Sequence, residues 1–243
     1  TSTTYRIGGD VLLVPSEYAT VQAAVDAATA GDTIRIASGR YDQSVLTTND
    51  GTSTGRITIE GVGHAVLTKI TVRDPYYTLK NLRFIPPSTA FGEAIWLRNS
   101  AHFTRIEGCY IDLGMKKDVG GIEWESPSTQ PFGTDAASDC VVTGNTIENG
   151  FNEALISVYG DRNLIENNVL RDGVRIDFFR LSGRENTLRR NICLNNFYTL
   201  PPGLSGGNHA DFVQCFGKNG FGSKDHIIEG NFLRYIENGQ LTQ

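Results

Sequence analysis

Apolar and polar residues near the start of the chain alternate first with the period of a helix and then with the period of strands. Segment 17–29 has an apolar face at helical spacing, formed by Val21, Ala24, Val25 and Ala28. Ser16 precedes this segment as the predicted N-cap. Segments 33–36 and 57–59 then alternate at every second residue, which is typical of half-buried strands. The pattern predicts one helix followed by a chain built of strands.

From about residue 77 the chain repeats a pattern of short apolar strands around a glycine or an asparagine. Asn145, Asn168 and Asn191 hold the same place in the pattern, each 23 residues after the last. Asn231 follows after 40 residues, and Cys109 holds this place 36 residues before Asn145, so insertions lengthen two of the repeats. A 23-residue period predicts an all-β, single-stranded right-handed parallel β-helix with turns ~4.8 Å apart. We expect the asparagines to form a ladder that bonds to the neighbouring backbone.

The length and composition fit one globular domain. The chain has 243 residues, of which 39% are hydrophobic, so we assign 1–243 to a single domain with solenoid turns over 33–243. The net charge of −5 argues against a nucleic-acid partner, and the lack of an apolar run of about 18 residues argues against a membrane helix. No polar cap follows Asn231, so we expect this end to be truncated, to self-associate or to contact a further chain.

Aligning the turns places polar residues in columns on one face. Three strands that end before a glycine align with one another, at 156–158, 179–181 and 213–215. Because side chains alternate across a strand, the middle residue of each must point outward. The first outward column comprises Trp96, Glu123, Ser157, Arg180 and Gln214. A second outward column comprises Ala154, Asp177 and Asp211, with Arg175 and His209 two residues earlier still.

Asp177 and Asp211 should lie one above the other on adjacent turns, where like charges repel. Such a pair needs a cation, an arginine or a shared proton. The nearby candidates are Arg180, Arg175, His209 and a bound Ca²⁺. The alternative is that Asp177–Arg180 and Asp211–His209 are surface ion pairs without a function.

Two further features suggest a groove for an acidic polymer. The insertions fall at 126–138 and 197–208, and loops of this kind on a solenoid wall a binding face. Residues 162–190 hold seven arginines against four acidic residues, a basic strip that suits an anionic polysaccharide. The alternatives are loops that are merely tolerated and a solvated polar ladder.

Two segments resemble a known family of proteins. Segment 18–41 reads YATVQAAVDAATAGDTIRIASGRY and resembles the amino-terminal capping segment of pectin-lyase-like β-helix proteins. Segment 51–59 reads GTSTGRITI and resembles the next segment of the chondroitinase B and alginate lyase group. The resemblance implies a right-handed parallel β-helix and a polysaccharide lyase that cleaves a uronate polymer by β-elimination. It also implies a secreted or periplasmic location.

A third segment departs from that family. Segment 153–160 reads EALISVYG and is similar to a stretch in which acidic residues of the group bind calcium and a lysine acts as the base. Tyr159 stands where the lysine is expected, and Ala154 stands where an acidic ligand is expected. The arginine–histidine–glycine motif of the group is absent, and Arg180 begins the comparable turn. The family mechanism therefore does not carry over unchanged.

In a lyase, a cation neutralises the uronate carboxylate, a base removes the C5 proton and an acid protonates the leaving oxygen. Arg180, or Ca²⁺ held by Asp177 and Asp211, would neutralise the carboxylate. His209, Arg175 or Tyr159 would act as the base. The predicted catalytic residues are therefore His209, Asp211, Arg180, Asp177 and Tyr159. The predicted polysaccharide-binding residues are Glu123, Arg175, Gln214, Trp96 and Trp124.

Two alternatives stay open at this point. A glycoside hydrolase would use Asp177 and Asp211, ~5–5.5 Å apart as in a retaining pair, with Glu123 as a wider partner. A non-catalytic polysaccharide-binding or structural β-helix would stack sugar rings on its aromatic residues, Trp96, Trp124, Tyr159 and Phe216.

Overall fold

Short parallel strands wind into a solenoid in which each strand pairs with its equivalent in the next turn. The computed structural model describes residues 9–87, 92–126, 136–197, 210–217, 223–237 and 240–242. The first sheet runs, in spatial order, through β1 (Val11–Val14), β2 (Thr33–Ile36), β4 (Ile57–Gly61), β6 (Tyr77–Lys80), β9 (Arg105–Glu107), β12 (Val141–Thr143), β15 (Leu164–Glu166), β18 (Thr187–Arg189) and β21 (Ile227–Glu229).

The second sheet divides at β5 (Ala65–Val72), which also pairs with β3 (Gly39–Leu46), because its two halves pair with different strands. One branch, called the site sheet below, contains the end of β5 and then β8 (Ile95–Leu97), β11 (Ile122–Trp124), β14 (Ile156–Val158), β17 (Phe179–Leu181) and β20 (Val213–Cys215). The other branch, the back sheet, contains β7 (Arg83–Phe84), β10 (Tyr110–Asp112), β13 (Thr146–Glu148), β16 (Val169–Val174), β19 (Ile192–Phe197), β22 (Phe232–Glu237) and the antiparallel β23 (Gln240–Thr242).

Equivalent residues stack in register and build one continuous core. Val142, Ile165 and Leu188 are the middle residues of β12, β15 and β18, and they pair in sequence and are fully buried. The residues on either side of each point outward and are partly exposed. This alternation repeats from turn to turn and closes an apolar interior. The predicted right-handed parallel β-helix is confirmed.

The amino-terminal helix is shorter than the sequence pattern suggested. α1 spans Val21–Ala27 rather than 17–29, and its N-cap is Thr20 rather than Ser16. Thr20 Oγ1 accepts a hydrogen bond from the backbone N–H of Ala23 at 3.1 Å. The residues before the cap form a turn instead, closed by backbone hydrogen bonds. The predicted apolar face packs into the core through Val21, Ala24 and Val25. No helix in the described part of the chain is long and apolar enough to cross a membrane.

The last described turn exposes positions that the preceding turn buries. Ile228 and Leu233 are 45% and 42% exposed, whereas their partners Leu188 and Cys193 are buried. The predicted truncation, self-association or further chain at this end stays a prediction.

A ladder of buried asparagines connects the turns. Asn168 Oδ1 accepts hydrogen bonds from the backbone N–H and from Nδ2 of Asn145, at 3.0 and 2.9 Å. Its Nδ2 donates to Val142 O and to Asn191 Oδ1, both at 3.0 Å. Asn231 extends the ladder, because its Oδ1 accepts from the backbone N–H of Asn191 at 2.9 Å. The side-chain amides thus satisfy backbone groups at a buried bend, and the predicted ladder is confirmed.

Asn168→Ala should remove about 3 kcal/mol of stability, because it leaves buried donors and acceptors of the adjacent turns without partners. Urea unfolding measures this loss. The neighbouring Asn167 is exposed and has a positive φ of 56°. Asn167→Gly is therefore the matched control, with an expected change of about 0.5 kcal/mol or less. Equal losses for the two variants would contradict a structural role for the ladder.

A second ladder ends in a histidine. Asn186 accepts from Asn163 through its Oδ1 at 2.8 Å, and its own backbone N–H donates to His226 Nδ1 at 3.2 Å. Because Nδ1 accepts this bond, the imidazole proton lies on Nε2, 2.6 Å from Ser223 Oγ. Burial lowers the pKa of His226, and this effect outweighs two nearby aspartates that raise it. Protonation of His226 therefore breaks the end of this ladder.

His226 should make stability depend on pH in the acidic range. Its pKa is lower in the folded than in the unfolded chain, so its contribution is complete above about pH 6.5 and is lost as the pH falls through the folded pKa. His226→Asn keeps an acceptor that does not titrate at these pH values. We expect the wild-type Tm to fall relative to the His226→Asn Tm below about pH 6.5. A difference in Tm that stays constant with pH would contradict this assignment.

Candidate functional site

Polar side chains line the outward face of the site sheet, in the order that the repeat predicts. Glu123 pairs with Trp96 on one side and with Ser157 on the other. Arg180 pairs with Ser157 and then with Gln214. Adjacent members of this column belong to adjacent turns and are ~4.8 Å apart at the backbone. The pairing of the first predicted column is therefore confirmed, although Ser157 within it is buried.

Glu123 lies at the centre of an acidic cluster on this face. Burial, followed by the charges of the Glu93 and Glu153 carboxylates, raises the pKa of Glu123 to about 8. The cations Arg180 and Lys69 act in the opposite direction but do not cancel these effects. Glu123 therefore exchanges a proton near neutral pH, which suits a general acid or base.

Gly120 leaves an opening between two members of this cluster. A Cβ atom at Gly120 would lie 3.6 Å from the Cγ atoms of both Glu93 and Glu153. The two carboxylate side chains thus flank a backbone position that has no side chain of its own. Glu93 also forms an ion pair with Lys69, with Nζ and Oε2 3.6 Å apart.

Arg180 bridges two acidic residues from different positions in the fold. Its Nε donates to Asp177 Oδ2 at 2.8 Å, and its Nη1 donates to Glu153 Oε1. Asp177 has a fully buried side chain, whereas Glu153 is 27% exposed. Asp177 Oδ1 accepts a further bond from the backbone N–H of Asp211 at 3.3 Å. The adjacency of Asp177 and Asp211 is confirmed, but the Asp177 side chain is fully buried, and its oxygens are bonded to Arg180 and to the backbone of Asp211.

Tyr159 lies beside the charged cluster at the end of β14. Burial raises the pKa of its phenol, and the charge of Glu123 raises it further, while Arg180 lowers it. The ring packs edge-on against Phe216, with centroids 5.8 Å apart. Because the pKa is raised, Tyr159 keeps its proton at neutral pH, which favours a proton donor over the base proposed from the sequence.

The two tryptophans predicted to bind sugar have different surroundings. Trp96 is partly exposed, with Lys69 Nζ 5.1 Å and Arg98 Cζ 4.5 Å from its ring centroid. Trp124 is fully buried, so its predicted role in stacking on sugar is wrong. The physical reason is strand alternation, because Trp124 pairs with the inward Leu97.

The other predicted site residues lie near the face or outside the described residues. Gln214 is partly exposed and pairs with Arg180. Asp211 is exposed at the start of the next turn. Arg175 is partly exposed and lies in the bend between β16 and β17. His209 lies outside the described residues, as does most of both predicted loop insertions, so these predictions stay untested.

The residues present do not fit a calcium ion held by Asp177 and Asp211. Both oxygens of Asp177 already accept hydrogen bonds, one from Arg180 and one from the Asp211 backbone. Within the described residues, no three His, Cys, Asp or Glu side chains are arranged to hold a metal ion. A bound calcium ion stays a prediction from the sequence.

The basic strip predicted from the arginine count does not form on this face. Five of its seven arginines pair with acidic residues elsewhere on the solenoid: Arg162, Arg171, Arg184, Arg189 and Arg190. These pairs mostly join successive turns. Of the strip, Arg180 is the residue that the structure places in the acidic cluster.

The sequence interpretation missed Glu93, Glu153 and Lys69. Glu93 lies two residues before the inward Ile95, which is the same place in the turn as Asp177, so extending the second column would have found it. Glu153 lies one residue outside that column, and Lys69 lies at the corner within β5. The repeat gave no signal for these two residues.

Glu123→Gln should stabilise the protein at alkaline pH. The folded pKa of Glu123 is raised, so its contribution to stability is complete below the unfolded value of about 4.5 and is lost as the pH rises through about 8. The Tm of the variant should exceed the wild-type Tm at pH values above about 8, and the two should converge near about pH 4.

Glu107→Gln provides the control, since it removes an equal charge from the first sheet, where Glu107 pairs with Arg105. Carboxyl NMR titration of Glu123 gives a direct reading. A midpoint in the usual range of about 4 to 5 would contradict the assignment of the raised pKa.

Comparison with known proteins supports the architecture. Neither a protein-family model nor a curated protein matches the chain. Pectate lyase Pel9A has a TM-score of 0.51 at 11% identity, over 96% of this chain and 78% of that protein. A rhamnogalacturonan lyase has a TM-score of 0.50 at 13% identity, over 95% of this chain and 66% of that protein.

An alginate lyase from Paenibacillus sp. str. FPU-7 has a TM-score of 0.45 at 16% identity, over 92% of this chain and 99% of that protein. At these identities the similarity concerns the fold. Together with the strand pairing, the similarity to the pectate lyase and the rhamnogalacturonan lyase shows that the chain has a right-handed parallel β-helix fold.

Proposed function

We propose that this protein is a polysaccharide lyase that cleaves a uronate-containing polymer by β-elimination on the outward face of the site sheet. The observation that carries the proposal is the grouping of Glu123, Tyr159 and Arg180 on one rigid face. These residues supply the base, the acid and the cation that the reaction needs. The β-helix fold, shared with two proteins named as lyases at TM-scores of 0.51 and 0.50, is consistent with this assignment.

Glu123 is the proposed base that removes the C5 proton of the uronate. A carboxylate with an ordinary pKa is a weak base, whereas a pKa of about 8 brings Glu123 closer to the strength that proton abstraction from carbon requires. The neighbouring Glu93 and Glu153 maintain this pKa because each adds a negative charge beside a half-buried site. The proton that Glu123 takes from C5 also relieves this repulsion.

Tyr159 is the proposed acid that protonates the leaving oxygen. Its phenol retains a proton at neutral pH, and the charges of Glu123 and Arg180 both act on it. Arg180 is the proposed partner of the substrate carboxylate. The buried Asp177 fixes the guanidinium, while the partly exposed Glu153 is the carboxylate that the substrate can displace.

The proposed substrate is a polysaccharide rather than a small sugar, because the column of polar residues continues over several turns. From the end of β5 to β20 the site sheet spans five strand spacings of ~4.8 Å each. A polymer of this kind does not cross membranes, so we include a secreted or periplasmic location in the proposal.

Glycoside hydrolysis is the second candidate function. The raised pKa of Glu123 is also the property of a general acid in a glycosidase, and Glu93 or Glu153 could act as its ionised partner. The pair proposed from the sequence, Asp177 and Asp211, is less suited, because Asp177 is buried and ion-paired with Arg180.

An assay for unsaturated uronate products tests the proposal, on alginate, pectate, glycosaminoglycans and bacterial exopolysaccharides. Wild-type protein should increase the ultraviolet absorbance with one of these polymers. Glu123→Gln and Tyr159→Phe should each reduce the rate about 10²-fold or more, because each removes a proton-transfer group. The wild-type rate should rise with pH towards about 8, as Glu123 ionises.

Glu107→Gln is the matched control, and its rate should equal that of the wild type, because Glu107 lies on the first sheet. New reducing ends without unsaturation would reject the lyase and support the hydrolase. Polymer binding without any product would reject both enzymes and support a binding protein.

A further inference from the structure

A permanently charged side chain lies between two carboxylates of the candidate site. Arg180 contacts Glu153 with one nitrogen and Asp177 with another, and the two carboxylates come from different turns. Its side chain is 23% exposed and that of Asp177 is fully buried, so much of this contact is removed from water. A single guanidinium thus joins the two acids across the turn boundary.

Each carboxylate in this contact accepts one hydrogen bond from Arg180 and another from a backbone N–H group. Asp177 is held by Arg180 through Oδ2 and by the backbone N–H of Asp211 through Oδ1. Glu153 Oε1 accepts from Arg180 and from the backbone N–H of Ala154, the latter at 3.0 Å. Both carboxylates therefore have fixed orientations towards the guanidinium.

We infer that Arg180 is an internal cation that takes the place of a metal ion between Glu153 and Asp177, so that the protein needs no calcium at this position. A calcium ion requires six to eight oxygen ligands at 2.3–2.6 Å. Here the guanidinium already contacts one oxygen of each carboxylate, Asp177 Oδ2 and Glu153 Oε1. The catalytic role of the Arg180 charge rests on the proposed function, whereas the exclusion of calcium from this position does not.

A neutral residue at position 180 would remove the positive charge between Glu153 and Asp177. Removing the guanidinium leaves two carboxylates, one of them fully buried, without an ion pair among the residues that the structure describes. Such a pair either takes up a proton or binds a cation. Arg180→Gln should therefore create a calcium site that the wild-type protein lacks.

Calorimetric titration with calcium chloride tests this inference. Wild-type protein should show no saturable binding at millimolar calcium, and Arg180→Gln should bind one ion with a dissociation constant of roughly 10⁻³ M or tighter. Adding Asp177→Asn to Arg180→Gln should abolish the binding, because it removes the buried charge. Calcium should also raise the Tm of Arg180→Gln and leave that of the wild type unchanged.

Arg184→Gln is the matched control. Arg184 also pairs with a buried aspartate, Asp161, at 2.9 Å. It forms an ion pair with this one carboxylate, whereas Arg180 forms ion pairs with two. This variant should not bind calcium. Binding of equal strength by Arg184→Gln would reject the specific role of the Glu153–Asp177 pair.

Two results would overturn the inference. One is a saturable calcium site in the wild type that Asp177→Asn removes, and this measurement does not depend on the folding of an Arg180 variant. The other is a folded Arg180→Gln that binds no calcium. The titration detects calcium and not cleavage, so the inference and the proposed lyase activity can fail separately.

Discussion

The hydrogen-bonded stacking of each turn on the next is the constraint on which the rest of this structure depends. In a parallel solenoid a strand has its partner one whole turn away, so nothing local fixes the register. A slip of one residue would turn every apolar side chain outward. The buried amides of Asn145, Asn168 and Asn191 prevent such a slip, because each bonds to the backbone of a neighbouring turn. The position of every outward residue follows from this register.

The candidate site uses that rigidity to keep like charges close together. Glu93, Glu123 and Glu153 come from different turns. The spacing of the turns sets the separation of these residues, although their carboxylates repel one another. Two features reduce the repulsion between these carboxylates. Lys69 and Arg180 supply positive charge at the two ends of the cluster, and Glu123 in the middle retains its proton to a higher pH. The site is thus arranged before any substrate arrives, which is the condition for electrostatic catalysis.

Much of the fold and part of the site could be predicted from the repeat alone. The spacing of the asparagines predicted the β-helix and the ladder, and alternation placed Arg180 and Glu123 in one outward column. Alternation also should have placed Trp124 inside, since it aligns with the inward Leu97. The alignment of the turns placed Asp177 near Arg180, but it could not show that Arg180 also contacts Glu153, because Glu153 lies in a bend rather than in a strand. Side chains from bends reach the face through local backbone geometry that a periodic pattern does not encode.

The start of the helix illustrates the same limit. Ser16 and Thr20 are both acceptable N-caps by residue type, and a turn closed by backbone hydrogen bonds decides in favour of Thr20. Backbone hydrogen bonds form with any side chain, so the sequence pattern does not distinguish the two positions.

The equal spacing of the asparagine ladder makes each turn an interchangeable unit. Asn145, Asn168 and Asn191 are 23 residues apart, so loss of one such repeat would leave an unbroken ladder and an intact core. The functional face would not be preserved, because each turn contributes a different residue to the outward column. Loss of the turn that carries Arg180 would bring Gln214 directly against Ser157. In a protein built this way, genetic duplication or deletion of a repeat could change the chemistry while the architecture tolerates the change.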